Sequence, residues 1–458
     1  MANKVLWPSE YAEKTPSDYL KAVFETADWI SDYEHKTDSG SYWDILPGKE
    51  VDEDATLTSI GSLYGGAAGV ALFFLRLYQV TCKEEYLDKA RSGIDFAIGR
   101  DKGKAEYEKI GEGTLKGIPI GLMNGPIGAA YVAYLVYEIT KNEKYLIYTK
   151  QATEVLLEEE KDDEKGGYWS DVCGILSDGG LILYLIWLYE KLKDKRYLAA
   201  ADKAGKRIVE NADETEDTAR WLAMDSVAFG LGKNGYFPGF FYGTAGTGYI
   251  LTKLYEHTKN ERYLELAIKA SNYIKRLADK SPNGKAALIQ YNDPYVPDMH
   301  YLGVCQGPIG HSRLFYKLYK ITGEEEYKEW IIKLTDGILA TGAPKIHSKG
   351  YWHTYCYCCG AAGMVEHFLE IYELTKNEKY KTAAREGVEV LLGDSNLDEG
   401  KRRWYTAWNR HLPNEVEAWT GLYHGSAGCA SSILFYYNYL TDKKKISGYI
   451  EDPYQELF

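Results

Sequence analysis

The chain has 458 residues, 45% hydrophobic and 26% charged, an ordinary globular composition with enough apolar material for a large core. Its formal net charge of -13 argues against a nucleic-acid partner and favours a neutral or cationic one. The start, Met1-Ala2-Asn3-Lys4-Val5-Leu6-Trp7-Pro8, has no apolar core of signal-peptide length, and no apolar run reaches the roughly 18 residues of a membrane span, so a cytoplasmic location is expected.

Residues 1–58 read as a lead-in. Apolar residues recur at helical spacing from Asp18 to Ile30, which predicts one amphipathic helix, and the polar stretch on to Thr58 reads as loop. A repeat then runs over residues 59–440. Its turns are Gly66-Ala67-Ala68-Gly69, Gly125-Pro126-Ile127-Gly128, Ser177-Asp178-Gly179-Gly180, Gly243-Thr244-Ala245-Gly246, Gly307-Pro308-Ile309-Gly310, Gly360-Ala361-Ala362-Gly363 and Gly425-Ser426-Ala427-Gly428. A tyrosine stands nine residues beyond each: Tyr78, Tyr137, Tyr189, Tyr255, Tyr319, Tyr372 and Tyr437. Eight residues beyond the first six of these stands another, from Tyr86 to Tyr380.

Each unit therefore predicts a helical hairpin. The segment after the turn is apolar on most sides, as in Val70-Ala71-Leu72-Phe73-Phe74-Leu75, and the segment after the second tyrosine carries an apolar stripe, as in Tyr263 to Ile274. Seven alternations of inner and outer helix predict an all-α fold, an α/α toroid forming a single domain over 1–458. An open solenoid would need polar end caps, and the last unit shows no cap signature. Glycine permits close backbone approach, and Pro126 and Pro308 suit a first helical position. All seven inner helices should then start at one mouth. The connections Asp279–Tyr301 and Asp394–Trp419 add to its rim. The second carries Arg402, Arg403, Trp404, Trp408 and Arg410, most of which read as solvated loop.

Seven cysteines, an odd number, fit free or metal-bound thiols better than a disulfide framework. Cys305 precedes the fifth turn in Gly303-Val304-Cys305-Gln306-Gly307. Cys358 and Cys359 precede the sixth in Tyr357-Cys358-Cys359-Gly360. Adjacent hairpins place these positions side by side, so the three thiols are expected to hold a zinc ion, with a fourth position open for chemistry. Two other readings stand beside this one. Buried cysteine is common as a small hydrophobe, which suits Cys82, Cys173 and Cys429. Cys356 or His353 would close the shell of a structural zinc.

Seven Gly-rich hairpins, a Cys-x-Gly phrase in the fifth and a Cys-Cys-Gly phrase in the sixth resemble the lanthionine synthetase C-like family, from about Ser62 to Tyr439. Members usually carry Cys-His-Gly in the sixth repeat, and Cys-Cys-Gly resembles a three-cysteine variant. The resemblance implies a zinc-assisted Michael addition. A substrate cysteine thiolate attacks dehydroalanine or dehydrobutyrine in a ribosomal peptide and closes a thioether ring. No dehydratase segment is recognisable, so a dehydrated, cysteine-containing precursor would come from a partner dehydratase.

The sequence departs from the family pattern at three places. Tyr242 stands where the fourth repeat usually has histidine, Tyr301 where an arginine usually precedes the fifth-repeat cysteine, and Gln306 where an aromatic usually follows it. Asp171 matches the third-repeat aspartate. His424, before the seventh turn, is expected to supply the missing proton relay with Asp171 as partner or positioning group; His300, His311 and His353 are weaker candidates. Two other functions compete: a non-catalytic zinc-binding scaffold that recognises modified peptides, and a carbohydrate-active toroid using Asp171 and Asp178. The latter leaves the three cysteines without a role.

Overall fold

Segments as apolar as those after the Gly turns cannot face water on any side, and they form the inner wall of a closed ring. The structure, a computed structural model, describes residues 14–49, 60–108, 120–222, 235–294, 299–407, 409–441 and 443–458. Trp408 and the lead-in stretches 1–13 and 50–58 lie outside the described residues. The helices in chain order are α1 (Pro16–Ser31), α2 (Ala67–Thr81), α3 (Glu84–Arg100), the short α4 (Lys104–Glu108), α5 (Pro126–Thr140), α6 (Glu143–Glu158), α7 (Asp178–Leu192), α8 (Lys195–Glu210), α9 (Thr244–Thr258), α10 (Glu261–Arg276), α11 (Pro308–Thr322), α12 (Glu325–Ala340), α13 (Ala361–Thr375), α14 (Glu378–Gly393) and α15 (Ser426–Leu440). The inner helices are α2, α5, α7, α9, α11, α13 and α15. Each packs on the next, and α15 packs on α2, so the α/α toroid is closed.

The tyrosine pattern has a local cause. The residue after each of the first six inner helices is left-handed: Cys82, Lys141, Lys193, Lys259, Gly323 and Lys376, with φ from 56° to 74°. Its N–H returns to the carbonyl of the first tyrosine of its unit, such as Lys141 to Tyr137 at 2.8 Å. The first tyrosine's hydroxyl then reaches the outer helix, as Tyr372 does to Glu378 at 3.0 Å. The second tyrosine is buried between neighbouring outer helices, as Tyr263 is with its hydroxyl on Asp202 at 2.7 Å.

Four features depart from expectation. The seventh outer helix is not downstream of its inner helix: α1 fills that place against α15, with Tyr19 edge-on to Tyr436 at 5.3 Å. Its stripe of Tyr19, Val23, Ala27 and Ile30 is buried, and Arg402 fastens it through Glu25 at 2.9 Å. Burying each larger apolar side chain contributes about 1.5–3 kcal/mol, so closure by the N-terminal helix offsets the missing last hairpin. The lead-in beyond α1 is also not all loop, because Glu34–Lys36 pairs antiparallel with Ser41–Trp43. Similar hairpins follow α6, α8, α10 and α14. Trp404 is not a solvated rim residue: it is buried, with its indole N–H on the Leu391 carbonyl at 2.7 Å. Trp169 and Trp221 make the same bond to Leu156 and Ile208. Cys82 is exposed rather than a core residue, while Cys173 and Cys429 are buried.

The C-terminal tail enters the ring. Tyr449 stacks on Tyr357 at 3.9 Å. The Glu451 carboxylate, fully buried, accepts from the Tyr423 hydroxyl at 3.1 Å and faces Arg313 at 3.5 Å. No helix among the described residues is long and apolar enough to cross a membrane.

Burial pushes the Glu451 carboxyl up from 4.5 to about 7. The folded state therefore binds the extra proton between these values, and stability falls as pH rises through that window. Glu451→Gln removes the titration. Its stability relative to wild type should rise by on the order of 3 kcal/mol between pH 4.5 and pH 8, read as a shift in denaturation midpoint at each pH.

Candidate metal centre

Main-chain hydrogen bonds join the loops ahead of the inner helices in sequence, from the third round through the seventh and first to the second. Phe241 N–H donates to the Cys305 carbonyl at 2.9 Å, Cys305 to Cys358 at 3.2 Å and Cys358 to Tyr423 at 2.7 Å. Tyr423 continues to Tyr64 at 2.9 Å and Tyr64 to Met123 at 2.9 Å, while Leu176 donates to Phe241 at 2.9 Å. Such bonds leave no room for side chains between units. A Cβ on Gly303 would stand 2.5 Å from the Cys358 carbonyl oxygen and 2.5 Å from the Cys359 Cα. Glycine there is what allows the fifth and sixth loops to touch.

That contact brings the three expected thiols together. The Sγ atoms of Cys305 and Cys359 are 3.3 Å apart, and those of Cys359 and Cys358 are 3.5 Å apart. All three lie within 4.8 Å of one another. Zinc–thiolate bonds of about 2.3 Å in a tetrahedron place sulfurs about 3.8 Å apart, so one ion fits this donor set. The N-termini of α11 and α13 follow within three residues and favour negative charge. Hydrogen bonds from Cys305 and Cys359 hold the Cys358 thiol well below its ordinary value, and the other two are raised in return. The alternatives for a fourth ligand lie outside this group. Cys356 takes the Cys359 N–H at 3.4 Å and contacts the Thr354 hydroxyl at 3.2 Å. His353 turns Nε2 to the Ile346 carbonyl at 3.2 Å and stacks on His347.

Two aromatic groups flank the thiols. On one side Tyr64 bonds Cys358 through its hydroxyl and stacks on Tyr423 and His424, with ring centroids 5.3 and 5.1 Å apart. His424 also meets Trp419 edge-on at 4.8 Å. Glycine at position 65 makes room for this ring, since a Cβ there would lie 2.6 Å from its Cε1. On the other side stand Tyr242, Tyr291, Tyr301 and Arg410. Tyr64 escaped the sequence reading, although it stands two residues before its turn, as Cys305 and Cys358 stand before theirs. The repeat itself carried that signal.

Of the expected pair, His424 lies among Tyr64 and Trp419, while the hydrogen bonds of Asp171 run to α8. Burial drives His424 down to about 3, so at neutral pH it holds no extra proton. Asp171, left-handed at φ 63°, faces α8, where Arg207 grips it at 2.6 and 2.9 Å and Asn211 adds a bond at 2.9 Å. The Arg207 bonds hold this carboxyl below the usual range. Asp178 accepts from the backbone of Trp169, Ser170 and Asp171. Both carboxylates are thus committed to the third loop, which weighs against a glycosidase pair. His300 pairs with Asp279 at 2.9 Å, and His311 is fully buried.

A family model, lanthionine synthetase C-like protein, matches residues 60–449. The chain belongs to that family. Among solved structures it is similar to nisin cyclase, with a TM-score of 0.56 at 15% identity over 94% of this chain and 99% of that one. Cellobiose 2-epimerase from Bacillus thermoamylovorans gives 0.47 at 15% identity over 93% and 99%. Unsaturated glucuronyl hydrolase from Streptococcus agalactiae gives 0.47 at 12% over 97% and 95%. At these identities the likeness is one of fold.

If the glycine contact aligns the thiols, mild oxidation of metal-free protein should join Cys305 to one of the Cys358/Cys359 pair. Peptide mass spectrometry would find the disulfide. Gly303→Ala should cut its yield several-fold while the helical circular dichroism signal stays.

Proposed function

We propose that the chain is a zinc-dependent lanthionine cyclase-like enzyme, whose substrate is a ribosomal peptide carrying cysteine and dehydroalanine or dehydrobutyrine. The observation that carries the reading is the convergence of Cys305, Cys358 and Cys359 at the mouth of a toroid of this family. Zinc held there would lower the pKa of a bound substrate thiol, so that thiolate is present at neutral pH. Cys305, Cys358 and Cys359 would hold the ion, and a three-cysteine donor set would leave room for a substrate sulfur. A third cysteine in place of histidine makes the donor set more negative, which favours the nucleophilicity of the entering thiolate.

His424, uncharged, lines the site beside Tyr64 and takes part in proton movement as a neutral imidazole. Asp171, clamped by Arg207, positions the third loop of the mouth. The substrate reaches the protein already dehydrated, so a dehydratase acts before it or in complex with it, in the cytoplasm.

A second reading is a zinc-binding scaffold that recognises modified peptides without turnover. Tyr242 and Tyr301, in place of the histidine and arginine usual in the family, favour it. Two measurements decide. Metal analysis should find one zinc per wild-type chain and a loss of most of it in Cys305→Ala; equal zinc in both would remove the site. Incubation with a dehydrated cysteine peptide should consume alkylatable thiol, and a scaffold would leave it intact. His424→Asn should slow ring closure at least tenfold with zinc retained. An unchanged rate would take His424 out of the mechanism.

A further inference from the structure

Beside the thiols, toward the fourth and fifth units, lies a cluster that thiol activation leaves unexplained. Tyr242 follows Phe241, whose N–H is bonded to the Cys305 carbonyl. Its hydroxyl is 3.2 Å from that of Tyr291. Tyr291 stacks on Tyr301 with centroids 4.4 Å apart and planes 15° apart, and Tyr301 is two residues from Gly303, where the fifth and sixth loops touch.

Arg410 closes the cluster from the 394–419 connection. Its Nη1 donates to the Tyr301 hydroxyl at 3.1 Å, and its guanidinium lies 4.5 Å from the centre of the Tyr291 ring. The aromatic pair thus fixes the guanidinium, which stays charged at any working pH. Its Nε is buried and, among the described residues, has no hydrogen-bond partner. A buried donor without an acceptor is costly, and an arginine so placed is ready for an oxygen that arrives with the substrate.

Addition to a dehydrated residue needs such a donor. As sulfur attacks the β-carbon, the C=C electron pair moves toward the α-carbon and the amide carbonyl oxygen, and negative charge appears there. We infer that Arg410 and Tyr242 form the acceptor side of the site: the guanidinium holds the carbonyl oxygen of the dehydrated residue, and the phenol delivers a proton to its α-carbon. One C–S bond and one C–H bond form and one C=C π bond is lost. The thiol proton released on binding leaves by way of His424 to water, and a proton from water restores the Tyr242 phenol through Tyr291, 3.2 Å away. Burial keeps the Tyr242 phenol protonated, well above the ordinary tyrosine value, as a proton donor requires. The inference rests on the cyclase reading.

The test uses the full chain loaded with zinc and a peptide carrying one cysteine and one dehydrobutyrine. Arg410→Gln should lower kcat about 100-fold, with KM, zinc content and affinity for the saturated peptide within about twofold of wild type; Arg410→Lys should recover part of the rate. In deuterated water, wild type should label the α-carbon in one configuration, and Tyr242→Phe should give both. Wild-type kcat in Arg410→Gln overturns the role of Arg410. Zinc loss in that variant also overturns it, showing a structural part only. One configuration from Tyr242→Phe overturns the proton delivery. If wild type closes no ring, the cyclase reading falls and this inference with it.

Discussion

The main-chain hydrogen bonds that pass from loop to loop around the mouth are the constraint on which the site depends. Helices packed by side chains alone tolerate shifts of a sizeable fraction of an ångström, because apolar contacts are non-directional. A directional bond of about 3 Å between the backbones of Cys305 and Cys358 does not. It sets the distance between two thiols that are more than fifty residues apart in sequence. The Gly303 contact makes the bond possible, and the helix N-termini behind it bias the thiols toward negative charge.

The ring is supported at both faces by chain ends. Outside, α1 covers α15 and completes the outer layer. Inside, the tail braces the same loops that carry the thiols. Tyr449 stacks on Tyr357, next to Cys358, and Tyr423, whose carbonyl takes the Cys358 N–H, rests its hydroxyl on Glu451. Arg313 links the two, donating to the Tyr357 hydroxyl at 2.9 Å and facing Glu451. Tail and thiol cluster are therefore parts of one packed body.

What repeats was legible in the sequence. Gly turns, paired tyrosines and apolar inner segments recur with a period, so the toroid and the meeting of Cys305 with Cys358 and Cys359 followed from equivalence alone. What does not repeat was hidden. Nothing local marks α1 as the seventh outer helix, because its stripe would fit any apolar groove. Trp404 looked like rim because it lies in a long polar connection, yet its bond to Leu391 matches Trp169 and Trp221. Arg410 comes from the same connection, and only tertiary structure shows that it reaches the Tyr291–Tyr301 pair. Asp171 was matched by family position and His424 by its place before the seventh turn, and neither says that Arg207 holds the Asp171 carboxylate.

The account stands or falls on three sulfurs from two adjacent loops sharing one ion with an open corner. X-ray absorption at the zinc edge measures this directly. It predicts three sulfur ligands at about 2.3 Å and one oxygen or nitrogen, with that light atom replaced by a fourth sulfur when a cysteine-containing peptide is added. Four sulfurs before any peptide is present, or fewer than three from the protein, would contradict it.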